Sequence, residues 1–147
     1  MNSFTFYFYR IVILCALFLV PVIMYAHSLG QTLEKEAGEY LIDIGYDSLT
    51  AAPQANEPVR FDFNVWNKNR TEAVDFTKVW VRVAPAGSGI TFASYLGFPE
   101  FGPIGMSYAF PRAGDYVLTA RFFNEETTLG EASFPLTVDQ GGGDTAR

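Results

Sequence analysis

A two-residue alternation of apolar and polar side chains recurs in five segments after residue 39 and constrains the fold of this chain more than any other feature. The apolar positions are Tyr40, Ile42, Ile44 and Tyr46; Val59, Phe61, Phe63 and Val65; Val79, Val81 and Val83; Tyr116, Leu118, Ala120 and Phe122; and Ala132, Phe134, Leu136 and Val138. This is the period of a strand with one face in a core and the other in water. No segment after residue 40 has a helical repeat, so the sequence predicts an all-β fold.

Turn-forming residues separate the predicted strands. They are rich in Pro, Gly and Asn and occupy residues 52–58, 67–71, 111–115 and 124–128. With weaker strands at 90–94 and 106–110, the chain has about seven strands, as is typical of an immunoglobulin-like β-sandwich. We expect this sandwich over residues 39–138. Pro135 indicates an edge strand or a bulge, because proline has no N–H to donate to a ladder.

The turn before the fourth of these alternating segments has a recognisable pattern. In residues 111–118, PRAGDYVL, a Pro/Gly turn leads into a strand that opens with Tyr116. This pattern predicts a tyrosine corner, in which the phenolic hydroxyl bonds to nearby backbone. We therefore expect Tyr116 to have a structural and not a catalytic role.

An apolar run near the start of the chain predicts export. The run from Ile11 to Ala26 follows Arg10, and residues 1–28 are expected to form a hydrophobic helix. Pro21 favours a cleaved signal peptide, but a retained membrane anchor stays open, although the run is shorter than the ~20 residues that cross a bilayer. Either alternative places the rest of the chain on the periplasmic or extracellular side. Cys15, the only cysteine, lies inside this run.

Two further segments carry no apolar pattern. Residues 29–38 are polar and charged and are expected to form a stalk, and residues 139–147 are expected to form a flexible tail.

Charge and composition exclude several classes of function. The net charge is −6, and the basic residues are not clustered, so neither nucleic acid nor anionic lipid is an expected partner of the domain. The chain has a single histidine, His27, and Cys15 lies in the export segment. Ser–His–Asp triads, Cys–His pairs and zinc sites with several imidazoles or thiolates are therefore not expected in the exported part. The sequence predicts no catalytic residue and no enzyme.

His27 is the one candidate metal ligand. If processing cuts after Ala26, the new terminal amine and the His27 imidazole form a bidentate chelate of the kind that Cu(II) favours. Asp43, Asp47 or Met106 would have to complete the coordination, and no pattern in the sequence brings them to the terminus. The alternative is that His27 is a spectator and that no cofactor binds.

Aromatic residues are the candidates for binding a protein partner. The segment 87–105 sets apolar rings among Gly and Pro with Glu100 as its only charge, and end loops carry binding in sandwich domains. Trp66 and Trp80 fall on polar strand faces by parity. The expected contact residues are Phe92, Tyr95, Phe98, Phe101, Trp66 and Trp80. The alternative is that the rings of 87–105 cap the core and form a short edge strand, and that the tryptophans merely cover their neighbours.

Four segments resemble a known family. They are GEYLIDIGYD at 38–47, PVRFDF at 58–63, the stretch 110–122 and EASFPLTV at 131–138. Together they are similar to small exported YtkA-like domains. The resemblance implies a membrane-associated immunoglobulin-like domain, in a family often without an assigned function and sometimes linked to the handling of metals or respiratory complexes.

The sequence thus favours an exported, non-enzymatic β-sandwich, associated with the membrane through its N-terminal segment, that binds a protein partner. The alternative is a small periplasmic copper carrier or sensor that uses His27 at a processed terminus.

Overall fold

The computed structural model describes residues 30–48, 52–87, 89–97 and 104–141, and these ranges confirm the predicted all-β fold. The strands are β1 (Gln31–Ala37), β2 (Tyr40–Asp47), β3 (Pro58–Asn67), β4 (Lys78–Pro85), β5 (Phe92–Gly97), β6 (Gly105–Ala109), β7 (Gly114–Asn124) and β8 (Thr127–Val138). None of the described ranges contains a helix of the length and apolarity needed to span a bilayer. The predicted export helix at 1–28 lies outside the described residues.

The strands form two antiparallel four-stranded sheets that pack as a β-sandwich. The first sheet has the order β1-β2-β3-β6, and the second has the order β5-β4-β7-β8. Nearly all of the alternating apolar positions predicted from the sequence are buried between the sheets, and Tyr40, at the start of β2, is half-buried. The two-residue period therefore predicted five of the strands and most residues of the core.

Phe110, directly after β6, links the two sheets. Its buried ring lies 6.3 Å from that of Phe61 on the first sheet and 5.0 Å from that of Tyr116 on the second, measured between centroids. The Tyr116 hydroxyl donates to the carbonyl of Arg112 at 3.0 Å. The predicted tyrosine corner is confirmed, and it fixes the turn that leads into β7.

The expected stalk at 29–38 is instead largely a strand. Residues Gln31–Ala37 form β1 and pair with β2 along their whole length. Only Leu33 and Ala37 are partly buried, so β1 has almost no apolar face for a pattern to reveal. Backbone hydrogen bonds to β2 define this strand, and Lys35 ties it to β8 by donating to the carbonyl of Ser133 at 3.3 Å.

The expected tail also begins later than predicted. The Asp139 N–H donates to the carbonyl of Pro53 at 2.8 Å, and the Ala55 N–H donates to the carbonyl of Asp139 at 2.9 Å. Asp139 is therefore held against the segment before β3. Residues 142–147 of the predicted tail lie outside the described residues.

The remaining differences concern edges. The weak strand expected at 90–94 is β5, at the edge of the second sheet, as in the alternative that the aromatic segment forms an edge strand. Pro135 lies in β8, the opposite edge of that sheet, so its predicted edge position is confirmed. With β1, the described strands number eight and not seven.

Substitution of Phe61 tests the register of β3. Phe61 is fully buried, whereas Arg60 points outward and is exposed. Phe61→Ala should lower the free energy of unfolding by about 3–5 kcal/mol, because it leaves a cavity beside Phe110. Arg60→Ala should change it by less than about 1 kcal/mol. Equal losses in urea titrations of the two variants would contradict the register.

Removal of one hydroxyl tests the tyrosine corner. Tyr116→Phe keeps the ring in the core but loses the hydrogen bond to Arg112, so it should cost about 1 kcal/mol. Tyr95→Phe is the matched control, since Tyr95 is 61 % exposed. Thermal melts that show the same midpoint for both variants would mean that the corner does not contribute to stability.

Candidate partner-binding face

The outer face of the second sheet is built around Trp80. Trp80 lies on β4 directly opposite Tyr95 of β5 and Arg121 of β7. Directly opposite residues of antiparallel strands point to the same face, so these three side chains form one row across the sheet. Lys78 occupies the next outward position on β4, opposite Phe123. We call Lys78, Trp80, Tyr95, Arg121 and Phe123 the aromatic face.

Cations hold the rings of the aromatic face in place. The ring centroids of Tyr95 and Phe123 are 5.9 Å apart. The Lys78 Nζ lies 5.9 Å from the first centroid and 5.5 Å from the second. The Arg121 guanidinium lies 5.5 Å from the centroid of the Trp80 ring. These distances fall within the range of cation–π attraction, so the rings and the charged groups form one connected surface.

Two carboxylates border this surface. Glu131 pairs with Arg121, and Glu126 lies 3.1 Å from the Lys78 Nζ. Both pairs are partly exposed, so they orient the cations more than they stabilise the fold. Tyr95 projects furthest into solvent, while Trp80 and Phe123 are half-buried against their neighbours. The result is a flat aromatic surface whose side chains are already positioned.

The outer face of the first sheet is organised differently, around a buried carboxylate. Asp43 points outward from β2 and yet is 0 % exposed. The indole Nε1 of Trp66 donates to its Oδ2 at 3.2 Å, and the guanidinium of Arg70 lies 3.5 Å from the same oxygen. Arg70 also pairs with Glu34 on β1. Trp66 therefore covers a charged group of its own chain.

Ion pairs continue along this first sheet. Lys68 lies 3.0 Å from Glu36, and the hydrogen bond between them raises the pKa of Lys68. Arg60 lies 3.3 Å from Asp62. On the inner side of the same sheet, burial raises the pKa of the Tyr46 phenol. The outer face of this sheet is thus adapted to water by paired charges.

The structure brings together only part of the predicted contact set. Trp80 and Tyr95 share the aromatic face, whereas Trp66 lies on the outer face of the other sheet. Phe92 packs against the core, with its ring centroid 5.6 Å from that of Tyr108. Its side chain is therefore not part of the aromatic face. The predicted contacts Phe98 and Phe101 lie outside the described residues.

Sequence reasoning missed two features, and parity indicates only the first. Phe123 follows the buried Phe122, so it points outward, although it is absent from the predicted contact residues. Parity places Asp43 on an outer face, but Trp66 covers it from a diagonal position. Parity gives the face of a side chain and not what lies over it.

The copper hypothesis depends on His27. His27 lies outside the described residues. Within the described ranges, no group of three or more His, Cys, Asp and Glu side chains is placed to hold a metal ion. Of the residues considered as further ligands, Asp43 already contacts Trp66 and Arg70. The copper site therefore remains a prediction.

Comparisons with protein-family models, with curated proteins and with solved structures find no match to this chain.

Substitution of Arg70 tests the role of the charge beside Asp43. Arg70→Ala removes a guanidinium from a buried carboxylate and should lower the free energy of unfolding by about 2 kcal/mol. Lys68→Ala breaks only an exposed ion pair and should leave the free energy of unfolding almost unchanged. In the Asp43→Asn background the cost of Arg70→Ala should fall. Urea titrations of the two single variants and the double variant measure this coupling, and a coupling of zero would contradict it.

Proposed function

We propose that this chain is an exported, membrane-associated accessory module without enzymatic activity, and that it binds a partner protein through the aromatic face. The observation that carries the proposal is the cluster of Trp80, Tyr95 and Phe123 held by Lys78 and Arg121 on one sheet. Tyrosine, tryptophan and arginine are the residues most enriched in the energetically dominant parts of protein interfaces.

The contrast between the two outer faces supports this choice of surface. The first sheet covers its buried Asp43 with Trp66 and surrounds it with ion pairs, which leaves its aromatic residue engaged within the chain. The second sheet instead presents Tyr95 at 61 % exposure beside two further rings. Rings that are already held by neighbouring cations lose little conformational freedom when a partner binds, and this favours affinity.

Charge defines the kind of partner. The chain has a net charge of −6, and on the outer face of β4 and β7 the cations Lys78 and Arg121 are paired with Glu126 and Glu131. Arg82, on the same face of β4, has no ion pair among the described residues. A cation without an ion pair favours a contact segment that carries a carboxylate. The partner we propose is therefore a protein segment that combines acidic and apolar side chains.

The immunoglobulin-like class is part of the same proposal. Its support is the separation of β2, β3 and β6 from β5, β4, β7 and β8 into two sheets, with the tyrosine corner at the start of β7. Membership of the YtkA-like family and export to the periplasmic or extracellular side rest on the sequence patterns. Fold class alone does not assign an activity, so the aromatic face carries the functional proposal.

Site-specific photocrosslinking tests the proposed surface. A photoreactive phenylalanine analogue is placed at Tyr95, or at Arg60 on the other sheet as the control, in the full chain in its native membranes. We expect an adduct of one defined mass from position 95 and none from position 60. Trp80→Ala should reduce the yield of that adduct about tenfold, as expected for loss of an interface anchor, without lowering the melting temperature by more than a few degrees. Equal adducts from positions 95 and 60 would refute the proposal.

A further inference from the structure

A cleft opens on the outer face of the second sheet, next to the aromatic face. Its volume is about 380 Å³. The residues that line it are Arg82, Ala84, Pro85, Gly87, Gly89, Val117, Thr119 and Ser133. Arg82, Thr119 and Ser133 lie on β4, β7 and β8 in one row of directly opposite positions. Arg82 is two residues beyond Trp80 on the same face of β4, a spacing of about 6.6 Å along a strand.

Arg82 differs from the other strand arginines and from Arg70 in the turn after β3. Arg60, Arg70 and Arg121 each form an ion pair. Among the described residues, Arg82 has no carboxylate within ion-pair distance, and its buried Nε has no hydrogen-bond acceptor. A buried N–H without an acceptor is costly and is normally satisfied by protein, water or a ligand. Arg82 also lines the cleft, so an anion in the cleft would lie beside a guanidinium that has no ion pair among the described residues.

The other polar groups of the cleft suit an anion as well. The hydroxyl oxygens of Thr119 and Ser133 are 2.8 Å apart, so one hydroxyl donates to the other. The second hydroxyl hydrogen of this pair then remains to be donated. Gly87 and Gly89 line the cleft with φ values of 107° and 83° and contribute no side chain to it.

Two carboxylates near the cleft, Glu131 and Asp115, already interact with other side chains of the chain. Glu131, two residues before Ser133 on β8, pairs with Arg121. Asp115 accepts a hydrogen bond from the Thr137 hydroxyl at 2.9 Å. Neither lines the cleft.

We infer that the cleft receives a carboxylate side chain of the partner protein, which binds the Arg82 guanidinium beside the hydroxyls of Thr119 and Ser133. This inference rests on the proposed function of the aromatic face. The planar guanidinium fork matches a carboxylate with two parallel hydrogen bonds. Val117, Ala84 and Pro85 provide apolar walls for the methylene groups of a glutamate. These apolar walls suit a carboxylate attached to an aliphatic chain better than a free small anion.

Two matched peptides test the inference on the full chain in non-ionic detergent. Both have blocked ends and a central residue flanked by phenylalanines, and that residue is glutamate in one and glutamine in the other. We expect the glutamate peptide to bind about tenfold more tightly, as a charge-assisted pair predicts. It should also shift the Nε–H resonance of Arg82 in ¹⁵N NMR. Arg82→Gln should abolish the preference, Arg82→Lys should reduce it, and Arg60→Gln should retain it.

Thermal melts serve to check that each variant is folded. Loss of the preference for the glutamate peptide in a folded variant then reports on the cleft. Equal affinity of the two peptides for the wild-type chain, or an unchanged preference in Arg82→Gln, would overturn the inference. Acetate or inorganic phosphate that displaces the peptide at the peptide's own concentration would also overturn it, because the cleft would then be a small-anion site. If the adduct from position 95 forms and Arg82→Gln does not weaken it, the cleft inference fails while the proposed function stands.

Discussion

The packing of Phe110 between the two sheets is the contact on which the rest of the domain depends. Its ring meets Phe61 of the first sheet and Tyr116 of the second, and Tyr116 in turn fixes the start of β7 through the carbonyl of Arg112. No disulfide is available to the described part of the chain, since Cys15 is the only cysteine. Burial of apolar and aromatic side chains between the sheets therefore carries the stability of the fold. Because the core uses only one face of each strand, the side chains of the outer faces are free to form charge clusters or an exposed contact surface.

The two outer faces differ in what their charged side chains contact. On the first sheet, Arg70 joins Glu34 to the buried Asp43, and Trp66 closes over the carboxylate. Removal of Arg70 would leave the Asp43 carboxylate buried without its ion pair. Because Arg70 lies in the turn between β3 and β4, the same contact holds that turn against the first sheet. On the second sheet, the charged groups contact aromatic rings, and the rings remain accessible. Charge stabilises the fold on one side of the molecule and orients an exposed surface on the other.

The sequence predicted the strands well wherever a strand has a buried face, because burial imposes the two-residue period. It did not predict β1, whose polar residues have no such face and whose position follows from backbone pairing with β2. Parity placed Trp66 and Trp80 on outer faces correctly. It could not show that they lie on different sheets, since strand order depends on long-range pairing. For the same reason the proximity of Tyr95, Phe123 and Trp80 emerged only with the sheet order β5-β4-β7.

In the proposed contact surface, Arg82 and the aromatic rings contribute differently to binding. The chain's net charge of −6 repels an acidic partner at long range, but salt screens exposed charges beyond about 8 Å at physiological ionic strength. The contact between Arg82 and a carboxylate forms at short range inside the cleft, where screening by salt is weaker than between distant exposed charges. The rings of Trp80 and Tyr95 would provide most of the buried area for any apolar partner. Arg82, one step further along β4, would make that area selective for a partner that places an acidic residue at the correct distance from its apolar contacts.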